Sequence, residues 1–209
     1  MTRQTIYRNK ERLFDLWAPN YDCLLTTVFY QAIHKRMLEF AELPESPNVL
    51  DLGCGTGRLL DRLANQFPNL QGTGLDLSSE MLAQARQRNR HGDRITFEKG
   101  NVESLPFEAQ TFDAAFNTIS FLHYPDPEGV LMEVKRVLRP HGRFYLADYT
   151  VRDDWRQMRP NFLPQSPNGL HFYSPQQREQ MGIVAGLECL GHHYLLGPIL
   201  LTVFGRVNV

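Results

Sequence analysis

The chain has 209 residues, enough for one domain of ordinary size. Hydrophobic residues make up 42% and charged residues 22%, which excludes a disordered chain and supplies material for a core. Lys+Arg 22 against Asp+Glu 23 leaves a net charge of −1, which argues against nucleic acid or an anionic membrane surface as the dedicated partner.

In chain order, residues 1–43 read as two helices broken at Ala18-Pro19-Asn20. The first carries Phe14 and Trp17; the second carries Leu25, Val28, Phe29, Ile33, Met37 and Phe40 at helical spacing. Pro44 and Pro47 mark a loop, and strands and helices then alternate. Val49–Leu52 is a short buried strand ahead of a glycine-rich loop, and Leu59, Leu60, Leu63 and Phe67 stripe a helix that stops at Pro68. Thr73–Leu77 is a second strand, with Ser78 placed as N-cap of a helix bearing Met81, Leu82 and Ala85. Ile95–Phe97 and Phe112–Ile119 are the third and fourth strands. Val130, Val134, Val137 and Leu138 line a helix that stops before Pro140, and Phe144–Ala147 is the fifth strand. Such alternation predicts a parallel sheet covered on both faces. Residues 151–173 read as an irregular segment over the sheet's end, 175–185 as a helix, and 187–196 with 199–207 as a closing hairpin around Gly197-Pro198.

The three cysteines, Cys23, Cys54 and Cys189, are odd in number and widely spaced, which points away from a disulfide framework and toward a reducing, cytoplasmic setting. The N-terminal stretch lacks an apolar h-region, and no run approaches the ~20 residues that span a bilayer. Cys189, His192 and His193 resemble a metal motif only superficially. Neighbours on a strand point to opposite faces, so no metal is expected there. The run Arg86, Arg88, Arg90, His91, Arg94 reads as a solvated face rather than a nucleic-acid contact.

The informative stretch is Asp51-Leu52-Gly53-Cys54-Gly55-Thr56-Gly57, between a strand and a helix. Glycines let the backbone turn sharply and let a ligand approach the main chain. The pattern is G-x-G-x-G; Arg58 stands where the dinucleotide fingerprint has its third glycine. Asp76 ends the next strand, where a carboxylate can accept both hydrogen bonds of a ribose diol.

These residues, with Gly74–Ser78, Gly100–Phe107, Phe112-Asp113 and Val137–Gly142, resemble the successive motifs of class I S-adenosylmethionine-dependent methyltransferases, in the quinone and small-molecule branch. The resemblance covers about residues 12–148. It implies a three-layer, Rossmann-like α/β fold with a seven-stranded, mostly parallel sheet in the order 3-2-1-4-5-7-6, strand 7 antiparallel. An N-terminal helical lid over 1–43 would cover a catalytic domain over 44–209 in one compact unit. It further implies S-adenosylmethionine as cofactor. Asp51, Gly53, Cys54, Gly55 and Gly57 would wrap its methionine end, Asp76 would hold the ribose, and Leu77 and Met81 would flank the adenine. Asn101 and Val102 would meet the adenine edge; the family's usual Asp is replaced by Asn101, whose carbonyl still accepts. Asn117 and Thr118 would sit beneath the sulfonium and amino group, and Tyr21 would cover the cofactor carboxylate.

Methyl transfer from a sulfonium needs alignment more than covalent help. An acceptor that must lose a proton needs a base as well. His123, after strand four, is the first candidate, since histidine exchanges protons near neutrality; Tyr124, Tyr145 and Asp148 rank behind it. Aromatic residues in 1–43 and 151–173 suit a planar acceptor of quinone or phenol type, bound by a monomer or homodimer. Two other readings stand beside this one: a nicotinamide-dependent oxidoreductase on a similar fold, and a module that binds S-adenosylmethionine without turnover.

Overall fold

The computed structural model describes residues 7, 8, 11, 12, 15, 24–151 and 169–207, with the backbone alone for 24–27. Twelve elements position the site. They are α1 (Leu24–Leu38), β1 (Asn48–Leu52), α2 (Arg58–Gln66), β2 (Gln71–Asp76), α3 (Ser79–Arg88), β3 (Ile95–Lys99), β4 (Phe112–Thr118), α4 (Pro127–Val137), β5 (Leu138–Tyr149), α5 (Pro175–Ala185), β6 (Leu187–Leu196) and β7 (Ile199–Arg206).

The strands form one seven-stranded sheet in the order β3-β2-β1-β4-β5-β7-β6, as the resemblance implies. β1 pairs in parallel with β2 and β4, β2 with β3, and β4 with β5. β7 runs antiparallel to both β5 and β6.

Alternation along each strand splits the core between the two faces of the sheet. Val49 packs with Ile33 and Met37 of α1, Leu59, Leu60 and Leu63 of α2, and Leu82 and Ala85 of α3. Leu50 and Leu52, one residue out of phase, pack with Val130, Leu131 and Val134 of α4 and Met181 and Ala185 of α5. Asp51 follows Val49 by two residues, so the same alternation aims its side chain at the α1 layer.

Most predicted elements appear within a residue or two of their expected ends, and Ser78 caps α3 by accepting from the Met81 N–H. α1 departs from its predicted stripe. It ends at Leu38, so Phe40 falls in a turn and stacks on His193 with ring centroids 4.1 Å apart, while Val28 faces solvent. A second departure corrects the alternation argument for Cys189 and His192. The register jumps from Cys189↔Phe204 to Gly191↔Val203, so a bulge at Leu190 puts both side chains on one face. Cys189 Sγ then lies 3.6 Å from His192 Nε2, and His192 Nδ1 is 3.0 Å from Thr202 Oγ1. Trp17, Tyr21, Cys23 and the stretch 152–168, with Trp155 and Phe162, lie outside the described residues.

Candidate functional site

At the C-terminal ends of β1, β2 and β4 the glycine loop bends through three left-handed residues, Gly53 (φ 69), Gly55 (φ 52) and Gly57 (φ 77). A Cβ on Gly53 would come within 2.5 Å of Ser120 Oγ, so this position also needs glycine for lack of space. The amides of Gly53 and Cys54 donate to Leu75 O at 2.8 and 3.0 Å, which ties the loop to the end of β2. Asp76 completes the tie. Its Oδ2 accepts from the Gly55 N–H at 2.8 Å and its Oδ1 from the Ser78 N–H at 2.9 Å. Each oxygen keeps acceptor capacity for a ligand. Burial pushes this carboxyl above its ordinary range, against the pull of those amides.

These groups border a cavity of about 710 Å³. Gly53, Gly55, Asp76, Leu77, Met81, Asn101, Val102, Thr118 and His123, all singled out from the sequence, line it. Asn101 Oδ1 already accepts from the Glu103 N–H at 3.0 Å, which fixes the turn that carries it. Ile119 closes one wall at φ 50, unusual for a β-branched residue, with its amide bonded to Ala147 O at 2.8 Å.

A second cavity of about 430 Å³ shares Gly53, Gly55 and Thr118 with the first and so adjoins it. Asp51 and Cys54 line it, together with Tyr30, His34 and Arg58. Asp51 is fully buried, and burial with the neighbouring Asp76 charge pushes its pKa up to about 8. A cationic ligand group would lower it again.

Two residues marked in the sequence sit elsewhere. Gly57 borders a different groove, with Arg88, Asn89 and Phe97, and serves as the N-cap of α2. Asn117 lines neither of the two adjoining cavities and spends its amide inside the protein. Its Nδ2 donates to Leu52 O at 2.9 Å and lies 2.6 Å from Ser120 Oγ and 2.9 Å from Tyr124 Oη, and its Oδ1 accepts from the Phe121 N–H at 3.2 Å. Asn117 thus builds the wall that Ser120 and Tyr124 present. Tyr124 is locked in that network, and burial raises its phenol well above the usual range. Tyr145 is bonded to the Glu42 backbone, away from both cavities.

His123 stands in the turn Phe121–His123 at the rim of the larger cavity. The turn is held from below by Asp148, whose Oδ2 accepts from the Leu122 N–H at 2.9 Å, and from above by the His171 N–H, which donates to Leu122 O at 2.8 Å. Asp148 is buried, with its pKa pushed up to about 6 by desolvation against the nearby Arg178 charge. It therefore positions the turn rather than meeting a substrate.

Sequence reasoning passed over Tyr7, Gly100, Ile119 and Ser120 in the larger cavity and His34 and Arg58 in the smaller; Tyr30, which lines the smaller, is one of the aromatic residues of 1–43 expected to cover the pocket. Tyr7 lay in a segment without a motif. Tyr30 and His34 did carry a signal, four residues apart on the buried side of the helix that bears Ile33 and Met37.

Residues 49–142 match the methyltransferase domain family. This region is similar to the class I S-adenosylmethionine-dependent methyltransferases, and the sheet has the strand order that the resemblance implies. Among curated relatives, the demethylmenaquinone methyltransferase of Thermotoga maritima is 36% identical over 140 residues, which cover 66% of this chain and 60% of that protein. The chain spans less than two thirds of the length of this and other similar curated relatives. Among solved structures, the complex of the Haloferax volcanii Trm112 methyltransferase activator with its methyltransferase matches with a TM-score of 0.81 at 23% identity, covering 93% of this chain and 98% of that one. The [4+2]-cyclase SpnF matches with a TM-score of 0.68 at 28% identity, covering 78% of this chain and 60% of that one. The methyltransferase domain contains no helix, among the described residues, that is long and apolar enough to cross a membrane.

Proposed function

We propose that this methyltransferase carries the methyl group of S-adenosylmethionine to a small planar or aromatic acceptor of quinone or phenol type. The observation that carries the reading is the adjoining pair of cavities. One end offers Asp76 with Leu77, Met81, Asn101 and Val102 for a nucleoside, the middle offers Thr118, and His123 stands at the rim. On this reading residues 1–43 form the lid and 44–209 the catalytic domain of a cytoplasmic enzyme with a small-molecule acceptor and no nucleic-acid partner. The Thermotoga maritima relative supports the acceptor class by its name.

The residues fit the cofactor by their chemistry. Buried Asp76 keeps acceptor positions toward the cavity, Asn101 and Val102 present an amide and an apolar edge, and Asp51 is a buried carboxyl on the smaller cavity. When bound, the sulfonium supplies a methyl group already activated for in-line displacement. Asp76 holds the ribose, Asp51 receives the ammonium, and Thr118 and Ile119 shape the wall at the reacting end. His123 takes the proton that a phenol or quinol acceptor must lose. Ser120, Tyr124 and Asn117 keep that wall rigid, so alignment costs no reorganisation at the moment of transfer.

Calorimetry with S-adenosylhomocysteine and NAD, followed by transfer of a labelled methyl group to a panel of quinols and phenols, tests this. Binding of NAD alone overturns the whole reading in favour of the oxidoreductase. SpnF, a cyclase on this fold, motivates a second reading in which the nucleoside is bound and no methyl group moves. Tight S-adenosylhomocysteine binding with no transfer to any acceptor supports that alternative.

A further inference from the structure

Away from both cavities, the edge of the sheet gathers groups that methyl transfer leaves idle. Alternation alone would send Cys189 and His192 of β6 to opposite faces, but the bulge at Leu190 puts both on the face covered by α5. Cys189 Sγ lies 3.6 Å from His192 Nε2. Zinc binds thiolate sulfur at about 2.3 Å and imidazole nitrogen at about 2.0–2.1 Å, and at a tetrahedral angle of about 109° these bonds set the two donors about 3.6 Å apart. The pair therefore has the spacing of two ligands chelating one tetrahedral ion. The second ring nitrogen is anchored as well. His192 Nδ1 is 3.0 Å from Oγ1 of Thr202, a wholly buried residue of β7. A metal-bound histidine is held in the same way, by a hydrogen bond at its free nitrogen. Burial and the Arg178 charge keep this imidazole in the neutral form that ligates. Glu179 of α5 is exposed, and its charge acts on both the thiol and the imidazole. As the side chains stand, no three of His, Cys, Asp or Glu among the described residues converge on one point, so Glu179 has to turn inward to join the pair.

We propose that Cys189, His192 and Glu179 bind one divalent transition-metal ion of the zinc class, with water as the fourth ligand. A sulfur and an imidazole nitrogen select such an ion over magnesium or calcium, which take oxygen. Burial keeps the thiol protonated, so the ion displaces that proton to solvent as the metal–sulfur bond forms. Thiolate and carboxylate then balance the two positive charges, which leaves the site neutral beside the buried guanidinium of Arg178. The role of the ion is to tie a helix to a strand. Two ligands come from β6 and one from α5, and the residue before Glu179 is the Arg178 that braces Leu200 O, Asp148 O and Tyr149 O. The metal thus fastens the helix that carries this brace, whatever acceptor the larger cavity takes.

The test titrates the untagged protein, dialysed against chelator, with cobalt(II), which takes the place of zinc and reports its ligands by absorption. One equivalent is expected to give the visible bands of a four-coordinate ion and a thiolate charge-transfer band, both lost when zinc is added. Cys189→Ser is expected to lose the charge-transfer band, and His192→Leu and Glu179→Gln to weaken binding. Thr202→Val leaves all three ligands in place and is expected to weaken it about 10–100-fold, which a threonine that only fills space would not do. Zinc is expected to raise the melting temperature of the wild type and not that of Cys189→Ser. Absence of the charge-transfer band at one equivalent overturns the proposal, as does a band that survives in Cys189→Ser and so belongs to another thiol. Undiminished binding in either His192→Leu or Glu179→Gln marks an adventitious ion only and overturns the three-ligand site. Should Cys189→Ser not fold, X-ray absorption by the zinc-loaded wild type decides. One sulfur and one imidazole among the nearest neighbours of the ion support the assignment, and oxygen and nitrogen alone overturn it.

Discussion

Strands β1–β3 and strands β5–β7 lie on opposite sides of β4, and polar groups lock the two regions in opposite ways. Around β1 and β2 the polar atoms are local to a motif. Glycine amides turn onto Leu75 O and Asp76, and the remaining acceptors face a cavity. Around β5 and β7 they span the chain and face inward. Arg178 of α5, almost wholly buried, donates to Leu200 O at 2.9 Å, Asp148 O at 3.1 Å and Tyr149 O at 2.7 Å. Asp148 in turn holds the turn that carries His123. On the proposed function the first region is a receptor with open valences, and the second is a bracket with nearly all of them closed. Binding and positioning are therefore divided between them, and substitutions should separate the two.

The largest effect should fall on His123, which the bracket places and the receptor faces. His123→Ala is expected to lower turnover by about 10²–10⁴ while leaving S-adenosylhomocysteine affinity nearly unchanged. Wild-type rate should fall on acidification and the variant should lose that limb; full activity of the variant on a protonated acceptor would show that alignment alone suffices. Next comes the bracket itself. Arg178→Met removes the cation from a buried carboxyl and frees three carbonyls, and is expected to cost about 3–5 kcal/mol in denaturant unfolding. If it instead weakens nucleoside binding at unchanged stability, the division between the regions is wrong.

Asp76→Ala attacks the receptor. The loss of hydrogen bonds to a charged group costs ~1.5–3 kcal/mol, or about ten- to 150-fold in affinity, with the fold retained. Titration of the variant with S-adenosylhomocysteine checks this. The mildest change concerns Asp51. Its carboxyl stands at about 8 in the folded protein against an ordinary 3.8, so between these values the folded state holds a proton that the unfolded chain has released. Stability of the free protein should therefore fall as pH rises through that window. Asp51→Asn is expected to raise the melting temperature at pH 8 more than at pH 5 while weakening S-adenosylhomocysteine binding. A melting temperature unaffected at either pH would mean that the carboxyl is not the strained group described above.

The receptor was legible because its residues are contiguous. Four motif positions, Asp51, Gly53, Cys54 and Gly55, border the two cavities with Asp76 one strand later, while Gly57 caps α2 instead, and the strand order followed once those motifs were matched. The bracket was not legible. Arg178 looks like any helix arginine, and only the antiparallel β7 brings Leu200 O beneath it, 22 residues away in sequence. His34 was hidden differently, since its stripe explained Ile33 and Met37 as core and left no reason to ask what an imidazole did among them. Asn117 shows the converse error of reading a strand end as a ligand contact. A buried amide with several protein partners has little left to offer a ligand. The bulge at Leu190 defeated simple alternation because one inserted residue reverses the phase of all that follow.

Gly53 was seen to leave no room for a Cβ against Ser120, and Tyr124 Oη lies 3.1 Å from the same point. The glycine loop and the loop that leads to His123 are thus in direct abutment, fastened through Asn117 and Ser120 to the Leu52 carbonyl. Such a joint constrains the history of the molecule as well as its chemistry. Acceptor preference and cofactor affinity cannot drift apart freely, because a side chain that reshapes the Ser120–Tyr124 wall presses on the glycine loop. Variation in acceptor would have to come from elements not fastened to that joint.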